Sequence, residues 1–137
     1  MKPLYLIACS QSKLDRAAPA RALYTGQAFK LAVKAADAAG ADILILSALH
    51  GVLKPDDIIA PYNCYLGGLP TMERVIWSTI TAAQLRPYID RHAVILAGKH
   101  YAAACSDFTN KREPLKGLGI GQQLRVLKNA AEFLTRT

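Results

Sequence analysis

The sequence lacks the features that mark several protein classes. Its three cysteines, Cys9, Cys64 and Cys105, form no Cys-x-x-Cys pair, which argues against a disulfide framework or a zinc knuckle. Apolar runs such as residues 93–97 are far shorter than the ~20 residues that a membrane span needs. The 137 residues show no repeat, low-complexity segment or secretory signal. We therefore expect a single domain that spans the whole chain, located in the cytoplasm and not bound to a membrane.

Acidic residues are scarce relative to basic ones. Ten Asp and Glu face seventeen Lys and Arg, which gives a formal net charge of +7. An excess of this size favours a polyanionic partner, such as nucleic acid or a phosphorylated small molecule. The chain contains no run of five basic residues, so a flexible basic tail is not expected. Any cationic surface must therefore be assembled by the fold.

Three short apolar segments predict buried β-strands, at residues 4–9, 42–47 and 93–97. Helical patterns separate these strands and follow the last of them. Fully apolar strands that alternate with helices are typical of a parallel sheet covered on both faces. We therefore predict an α/β fold of three layers, with a central parallel sheet and helices on both faces.

The helix predicted to open at Thr71 carries an apolar stripe that we expect to face the core. Trp77 lies off this stripe and is expected to pack under the long segment of residues 48–70. A further short helix is predicted over residues 101–108. The stripe consists of Met72, Val75, Ile76, Thr79, Ile80 and Ala83.

Ligands of open α/β sheets bind beyond the carboxyl ends of the strands, near the point where the strand order reverses. This rule selects residues 9–13, 47–51 and 98–101, which follow the three predicted strands. Each segment carries small polar residues with a Lys or a His, and we expect all three to share one rim. The candidate residues are Cys9, Ser10, Ser12, Lys13, Ser47, His50, Gly51, Gly98, Lys99, His100 and Tyr101.

Two interpretations fit the first of these segments, residues 9–13. Its hydroxyls, successive backbone N–H groups and the Lys13 ammonium are suited to hold a phosphate or a carboxylate. Alternatively, it is a polar turn with Cys9 buried at the strand end. Cys9 is a candidate nucleophile only if the fold brings His50 or His100 beside it.

The long segment between the second strand and the next helix offers Asp57, Tyr62 and Asn63. A planar ring followed by a short amide is suited to stack on a nucleobase and to read its edge. The alternative is a tyrosine that closes the loop over the core. Asp57 is the carboxylate nearest to Asn63 and is therefore a second candidate for a catalytic role. Alternatively, it belongs to a solvated turn.

Six motifs occur in order along the chain, and together they resemble a known family. The ordered set is similar to the small bacterial and phage domain of unknown function labelled YaaA-like. Its Cys-Ser-x-x-Lys opening is similar to the base-modifying domain of archaeosine synthase. The motifs are IACSQSK at 7–13, PARALYTG at 19–26, ILSALHGVL at 45–53, PYN at 61–63, AGKHY at 97–101 and PLKGLGIG at 114–121.

This resemblance implies a fold similar to uracil-DNA glycosylases and a connection with modified bases or DNA damage. The sequence departs from the family pattern at two positions. Asn63 stands where an acidic residue often follows the Pro-Tyr pair, and His50 stands where a Tyr is common. The matched positions are Cys9, Ser10, Lys13, Tyr24, Ser47, Gly51, Tyr62, Gly98 and Tyr101.

The leading hypothesis is an enzyme that binds a nucleotide, free or within DNA or RNA, and cleaves or exchanges its N-glycosidic bond. The oxocarbenium-like transition state requires a positioned water and stabilisation of the departing base. No metal or cofactor is predicted. The candidates are Asn63 or Asp57 for the water, His50 or His100 for the base, and Ser10, Ser12 and Lys13 for a phosphate.

Two other functions remain open. One is a non-catalytic nucleotide-binding or nucleic-acid-binding module in a stress response or in phage defence. The other is a phosphoryl-handling enzyme, which is the least favoured because the chain has neither a Walker motif nor an acidic metal pair.

Overall fold

Five strands form the central sheet of the computed structural model, which describes residues 2–136 and the side chains of residues 2–130. Leu4–Ala8 (β1) is the middle strand and runs parallel to Asp42–Ser47 (β3) on one side and Ala93–Leu96 (β6) on the other. Gly51–Leu53 (β4) pairs antiparallel with β3 at one edge, and Lys111–Arg112 (β7) runs parallel to β6 at the opposite edge. The predicted α/β class and the three parallel strands are confirmed.

Helices cover both faces of this sheet, as predicted. Tyr5 and Ile7 of β1 pack with the helices Gln27–Ala38 (α2) and Ile120–Arg136 (α5). Leu4 and Leu6, which point to the opposite face, pack with the layer that holds the third and fourth helices. The remaining elements are Ala18–Pro19 (β2), Ala20–Leu23 (α1), Ile58–Ile59 (β5), Thr71–Leu85 (α3) and Lys99–Ala102 (α4), with 3-10 turns at Leu66–Gly68, Arg86–Tyr88 and Ala103–Cys105.

Several predicted boundaries differ from the structure. The helix expected over residues 101–108 begins at Lys99 as α4 and ends in the 3-10 turn Ala103–Cys105. Gly98 precedes it as the N-cap, so the helix starts directly after β6. Residues 48–70 are not one long loop, because they contain β4, β5 and a 3-10 turn. Within residues 2–136, no helix combines the length and the apolar character needed to cross a membrane.

The prediction that the apolar stripe of α3 faces the core is wrong. Met72 is 69% exposed and Ile76 is 51% exposed, and the rest of the stripe lies on the same outer face. The inner face instead presents Trp77, Thr81 and Leu85. The indole Nε1 of Trp77 donates a hydrogen bond of 2.9 Å to the carbonyl oxygen of Ser47, which fixes this rotation of the helix. Trp77 itself is buried, as expected.

We expect Thr81→Val to stabilise the protein by about 1 kcal/mol, because it removes a buried polar atom that lacks a partner. Thr81 is fully buried, and its Oγ1 forms no hydrogen bond with any residue that the structure describes. Both residues are branched at Cβ and occupy similar volumes. The measurement is the free energy of unfolding from chemical denaturation. Thr79→Val is the control, since the Thr79 hydroxyl is exposed and donates to the Val75 carbonyl; an equal gain there would contradict the explanation.

Candidate functional site

The strand order reverses at β1. The chain passes from β1 to β3 on one side of the sheet and then crosses to β6 on the other. A cavity of about 390 Å³ lies at the carboxyl ends of β1 and β6, where such a reversal opens a crevice. Its walls are residues 7–10, residues 26–29 at the start of α2, residues 96–98, Tyr101, Leu115 and the side of α5 that carries Ile120, Gln123, Leu124 and Leu127.

The amino-terminal end of α2 forms one wall of this cavity. The backbone N–H of Gly26, the N-cap residue, donates a hydrogen bond of 3.1 Å to Ser10 Oγ. A Cβ atom on Gly26 would lie 2.6 Å from the Cβ of Ser10, so this close approach requires glycine. No side chain caps the helix, and its first turn has no acidic residue. The amides of Gln27 and Ala28, which belong to the unpaired first turn of a helix, therefore favour an anion.

Cys9 and Tyr101 meet above the ends of β1 and β6. The Sγ atom of Cys9 lies 3.5 Å from the hydroxyl of Tyr101, and the Tyr101 ring packs edge-to-face on Trp77 with centroids 5.5 Å apart. Burial, together with the nearby Cys9 thiol, raises the pKa of Tyr101 far above that of an exposed phenol. Tyr101 therefore remains protonated and able to donate a hydrogen bond.

Three hydroxyl groups form a chain beside Cys9. The Tyr62 hydroxyl lies 2.6 Å from Ser47 Oγ and 2.6 Å from the Tyr24 hydroxyl. Ser47 Oγ also accepts hydrogen bonds from the backbone N–H groups of Leu49 and His50, so its own proton is directed at Tyr62. Burial raises the pKa of both tyrosines, which keeps both phenols protonated.

A count of protons shows that this chain has one donor to spare. Ser47 donates to Tyr62, and the two phenols share one hydrogen bond although each brings a proton. One phenolic O–H, on Tyr24 or on Tyr62, therefore has no acceptor among the side chains that the structure describes. A hydroxyl in that state is suited to donate to a bound molecule or to water.

Lys13 and His50 flank the Tyr62 ring. The Lys13 ammonium lies 4.3 Å from the ring centroid and donates a hydrogen bond of 3.0 Å to the carbonyl of Gln11. The His50 ring is perpendicular to that of Tyr62, with centroids 5.3 Å apart. Asn63 follows Tyr62 and is exposed. Four of the predicted site residues are thus close together. They are Lys13 and His50 from two of the predicted rim segments, and Tyr62 and Asn63 from the long loop.

Asp57 and His100 lie apart from this group. The Asp57 carboxylate accepts a hydrogen bond of 2.8 Å from the backbone N–H of Lys54 and closes the turn between β4 and β5. His100 lines a different depression, with Thr71 and Arg74. Its pKa is lowered by desolvation and by the positive charges of Arg74 and Lys99. The solvated-turn interpretation of Asp57 matches its position.

The Ser10 hydroxyl points into its own loop. Ser10 Oγ donates to the carbonyl of Ser12 at 2.8 Å and accepts from Gly26, so its only proton is already used. Ser12 is exposed, and its carbonyl also accepts from the N–H of Thr25. Residues 9–13 therefore act as a support for the start of α2, and the anion-favouring amides belong to α2 itself.

Gly51 has a structural role. Its φ of +71° lies in the left-handed region, and a Cβ atom there would collide with Gln84 Oε1. The absence of that Cβ lets Gln84 accept a hydrogen bond of 2.9 Å from the backbone N–H of Val52 in β4.

A second cavity, of about 670 Å³, adjoins the first and shares Ala97, Leu115, Ile120 and Gln123 with it. The sequence-based candidates include Lys99 from its lining but neither Lys111 nor Lys116. The sequence signal that could have identified Lys116 is the motif at 114–121, which contains this residue and lies at the start of α5. The charged residues of this lining are Lys99, Lys111, Lys116 and Glu113.

The chain matches one family model, over residues 4–129, which is described as a family of unknown function (DUF6884). The chain belongs to the DUF6884 family. A search of curated proteins finds no match. Membership in DUF6884 carries no activity, so the chemistry of this site has to be argued from its own residues.

The three thiols of this DUF6884 protein differ in environment, and we expect them to differ in reactivity. Burial raises the pKa of Cys105 to about 12, whereas Cys9 and Cys64 are only half-buried. A thiol reagent at mildly alkaline pH should therefore modify two cysteines per folded chain and the third only after unfolding. Cys9→Ser should leave one reactive thiol. Reaction of all three at one rate in the folded protein would contradict this assignment.

Proposed function

We propose that this DUF6884 protein binds a nucleotide, free or within a nucleic acid, and cleaves or exchanges its N-glycosidic bond. The observation that carries the proposal is the cavity at the strand-order reversal, which is lined by the uncapped start of α2, by Cys9 and by Tyr101, while the linked hydroxyls of Tyr24, Ser47 and Tyr62 lie outside this lining. The start of α2 favours an anion, and the protonated Tyr101 hydroxyl is a neutral hydrogen-bond donor in the same lining. A nucleotide has both a phosphate and a polar, nearly neutral base.

The amides of α2 support a phosphate at the first cavity. They combine the partial positive charge of a helix amino terminus with several converging N–H groups. Lys99, Lys111 and Lys116 line the adjoining cavity and add positive potential. The volume of about 390 Å³ lies within the usual range of small-molecule sites. This placement replaces the predicted phosphate contact with Ser10, whose hydroxyl is already used.

The tyrosine hydroxyls support the base and the reaction. Cleavage of an N-glycosidic bond places negative charge on the departing base, and a preorganised O–H donor stabilises it. Tyr101, a protonated phenol that lines the cavity, meets that need. The spare phenolic proton of Tyr24 or Tyr62, with Lys13 beside the Tyr62 ring, serves a part of the base that extends beyond the cavity. Asn63 positions the attacking water, and His50 packs against Tyr62 from the other side.

The motif resemblance also supports a nucleobase as the ligand. The residues of the cavity rim and of the hydroxyl chain belong to the motifs that resemble YaaA-like domains, and the Cys-Ser-x-x-Lys opening among them resembles the base-modifying domain of archaeosine synthase. Those motifs supply Cys9, Tyr24, Ser47, Tyr62 and Tyr101.

A second candidate function is a non-catalytic nucleotide-binding module. It is favoured by the position of Asp57, whose carboxylate closes the turn between β4 and β5 with a hydrogen bond from the backbone N–H of Lys54. Without that carboxylate, only Asn63 and His50 remain as groups that could activate the water, and neither of them is a strong base. Binding would then be the whole function, and the same cavity would serve it.

We expect Lys99→Ala to weaken nucleotide binding by about threefold to tenfold, the effect of losing one screened positive charge from the cavity that adjoins the phosphate site. The assay is calorimetric titration with nucleoside monophosphates and with single-stranded oligonucleotides. Lys34→Ala removes the same charge from the exposed face of α2 and is the matched control. Oligonucleotide affinity should also fall with salt, with a log–log slope near −0.7 per phosphate contact. Equal effects of the two variants, or no binding by the wild type, would refute the assignment of the cavity.

Asn63→Ala distinguishes the enzyme from the binding module. In an enzyme, we expect release of free base to fall by about 10²-fold while the dissociation constant stays nearly constant, since Asn63 acts on the water. In a module, affinity falls and wild-type protein releases no base. The measurement is chromatography of the free base from nucleotides and oligonucleotides, paired with titration. Asp57→Asn is the control. If this variant loses turnover without losing stability, the catalytic role belongs to Asp57 and not to Asn63.

A further inference from the structure

Another hollow, the α3–α4 depression, lies between the first half of α3 and α4. Its volume is about 360 Å³. It shares Lys99 and Ala103 with the second cavity and no residue with the first. Residues 71, 74, 75 and 78 are three or four positions apart and therefore share one side of α3. The polar residues of the lining are Thr71, Arg74, Ser78, Thr79, Lys99 and His100.

The charged side chains of this lining are all basic. Arg74 belongs to α3, and Lys99 and His100 belong to α4. No Asp or Glu is part of the described lining, and no ion pair within residues 2–130 involves Arg74 or Lys99. Glu73 lies in the first turn of α3, outside this lining. Cations that converge in this way repel one another, and a bound anion relieves the repulsion.

The environment of His100 shows that the two cations converge on one point. Desolvation is the main cause that lowers the pKa of its imidazole, and the positive charges of Arg74 and Lys99 lower this pKa further. The two charges act on the same ring although they belong to different helices. The imidazole is therefore neutral at pH 7, and in that state it still has one N–H to donate.

The guanidinium of Arg74 is held in place by the protein. One terminal nitrogen donates a hydrogen bond to the carbonyl of Leu69, and the other donates to Thr71 Oγ1 at 3.1 Å. Each of these nitrogens has a second N–H, and Thr71 Oγ1 accepts without using its own proton. A guanidinium fixed in this way loses little freedom when it binds two oxygens of a phosphate, which its planar shape matches.

We infer that the α3–α4 depression is a binding site for a phosphate group, carried by a free phosphate ion or by a phosphate monoester. Such a group has a charge of about −1.5 to −2 at pH 7 and three strong acceptor oxygens. It balances both Arg74 and Lys99, whereas one carboxylate would balance only one of them. The inference does not rest on the proposed function, because the first cavity and the tyrosine hydroxyls take no part in it.

Titration with inorganic phosphate at constant ionic strength, followed by amide NMR signals, tests this inference. Signals of residues 71–79 and 99–103 are expected to shift and to saturate. Arg74→Ala is expected to weaken phosphate binding by about tenfold, because it removes charge-assisted hydrogen bonds. Arg86→Ala is the matched control, since Arg86 is exposed just after the other end of α3 and lies outside the described lining. No saturable shift, or an equal loss in both variants, would overturn the inference.

His100→Ala is a second test, and it leaves the hydrogen bonds of Arg74 at the start of α3 intact. It is expected to weaken phosphate binding by roughly fivefold, the effect of losing one neutral hydrogen bond. A variant that binds phosphate as tightly as the wild type would contradict the assignment.

Titration with nucleoside monophosphates distinguishes the two sources of the phosphate group. If the nucleotide itself supplies the group, Arg74→Ala weakens nucleotide binding and inorganic phosphate competes with the nucleotide. If a free phosphate ion occupies the site, nucleotide affinity is the same in Arg74→Ala and both ligands bind together. Failure of nucleotides to bind at all, with phosphate still bound, would refute the proposed function and leave this site in place.

Discussion

Ser47 is the residue on which the geometry of the site depends. It is fully buried at the end of β3, and both its hydroxyl and its carbonyl oxygen form hydrogen bonds outside the strand. Its hydroxyl accepts from two backbone N–H groups of the following turn and donates to Tyr62, while its carbonyl accepts from the Trp77 indole. One small side chain thus joins the end of a central strand to the next turn, to the long loop and to α3. An alanine at this position would leave two backbone N–H groups and a phenol without the Ser47 hydroxyl as their partner.

The lysines of the second cavity lie apart from the buried tyrosines, and Lys13, beside the Tyr62 ring, is the cation that lies close to these neutral donors. The tyrosines have raised pKa values because they are buried, and they contribute hydrogen bonds without carrying charge. The lysines line the adjoining cavity, and none of them is buried. A ligand with one anionic end and one polar, uncharged end matches this division better than a uniformly charged polymer does.

Apolar runs were sufficient to predict the three parallel strands, because a strand buried on both faces leaves no other pattern. Hydrophobic periodicity, in contrast, predicted the wrong orientation for α3. Periodicity shows which residues share a helix face but not whether that face meets the core or solvent, and the Trp77–Ser47 hydrogen bond decides the rotation. The role of Ser10 depends in part on the backbone N–H of Gly26, which is distant in sequence. The Asp57 carboxylate closes a local turn with the N–H of Lys54, and Lys111 reaches the cavity through a strand of two residues. Such contacts leave no periodic signal.

The fit between Gly51 and Gln84 has a consequence for how the sequence can vary. Gln84 covers the N–H of Val52 only because Gly51 has no side chain, and Gly51 tolerates its positive φ only as glycine. A larger residue at position 51 would expel Gln84 and uncover the sheet edge, whereas a shorter residue at position 84 would uncover it directly. The cost of a change at either position therefore depends on the residue at the other. Mutational scans of the two sites together should show strong epistasis, with the doubly changed chain less impaired than the sum of the single changes.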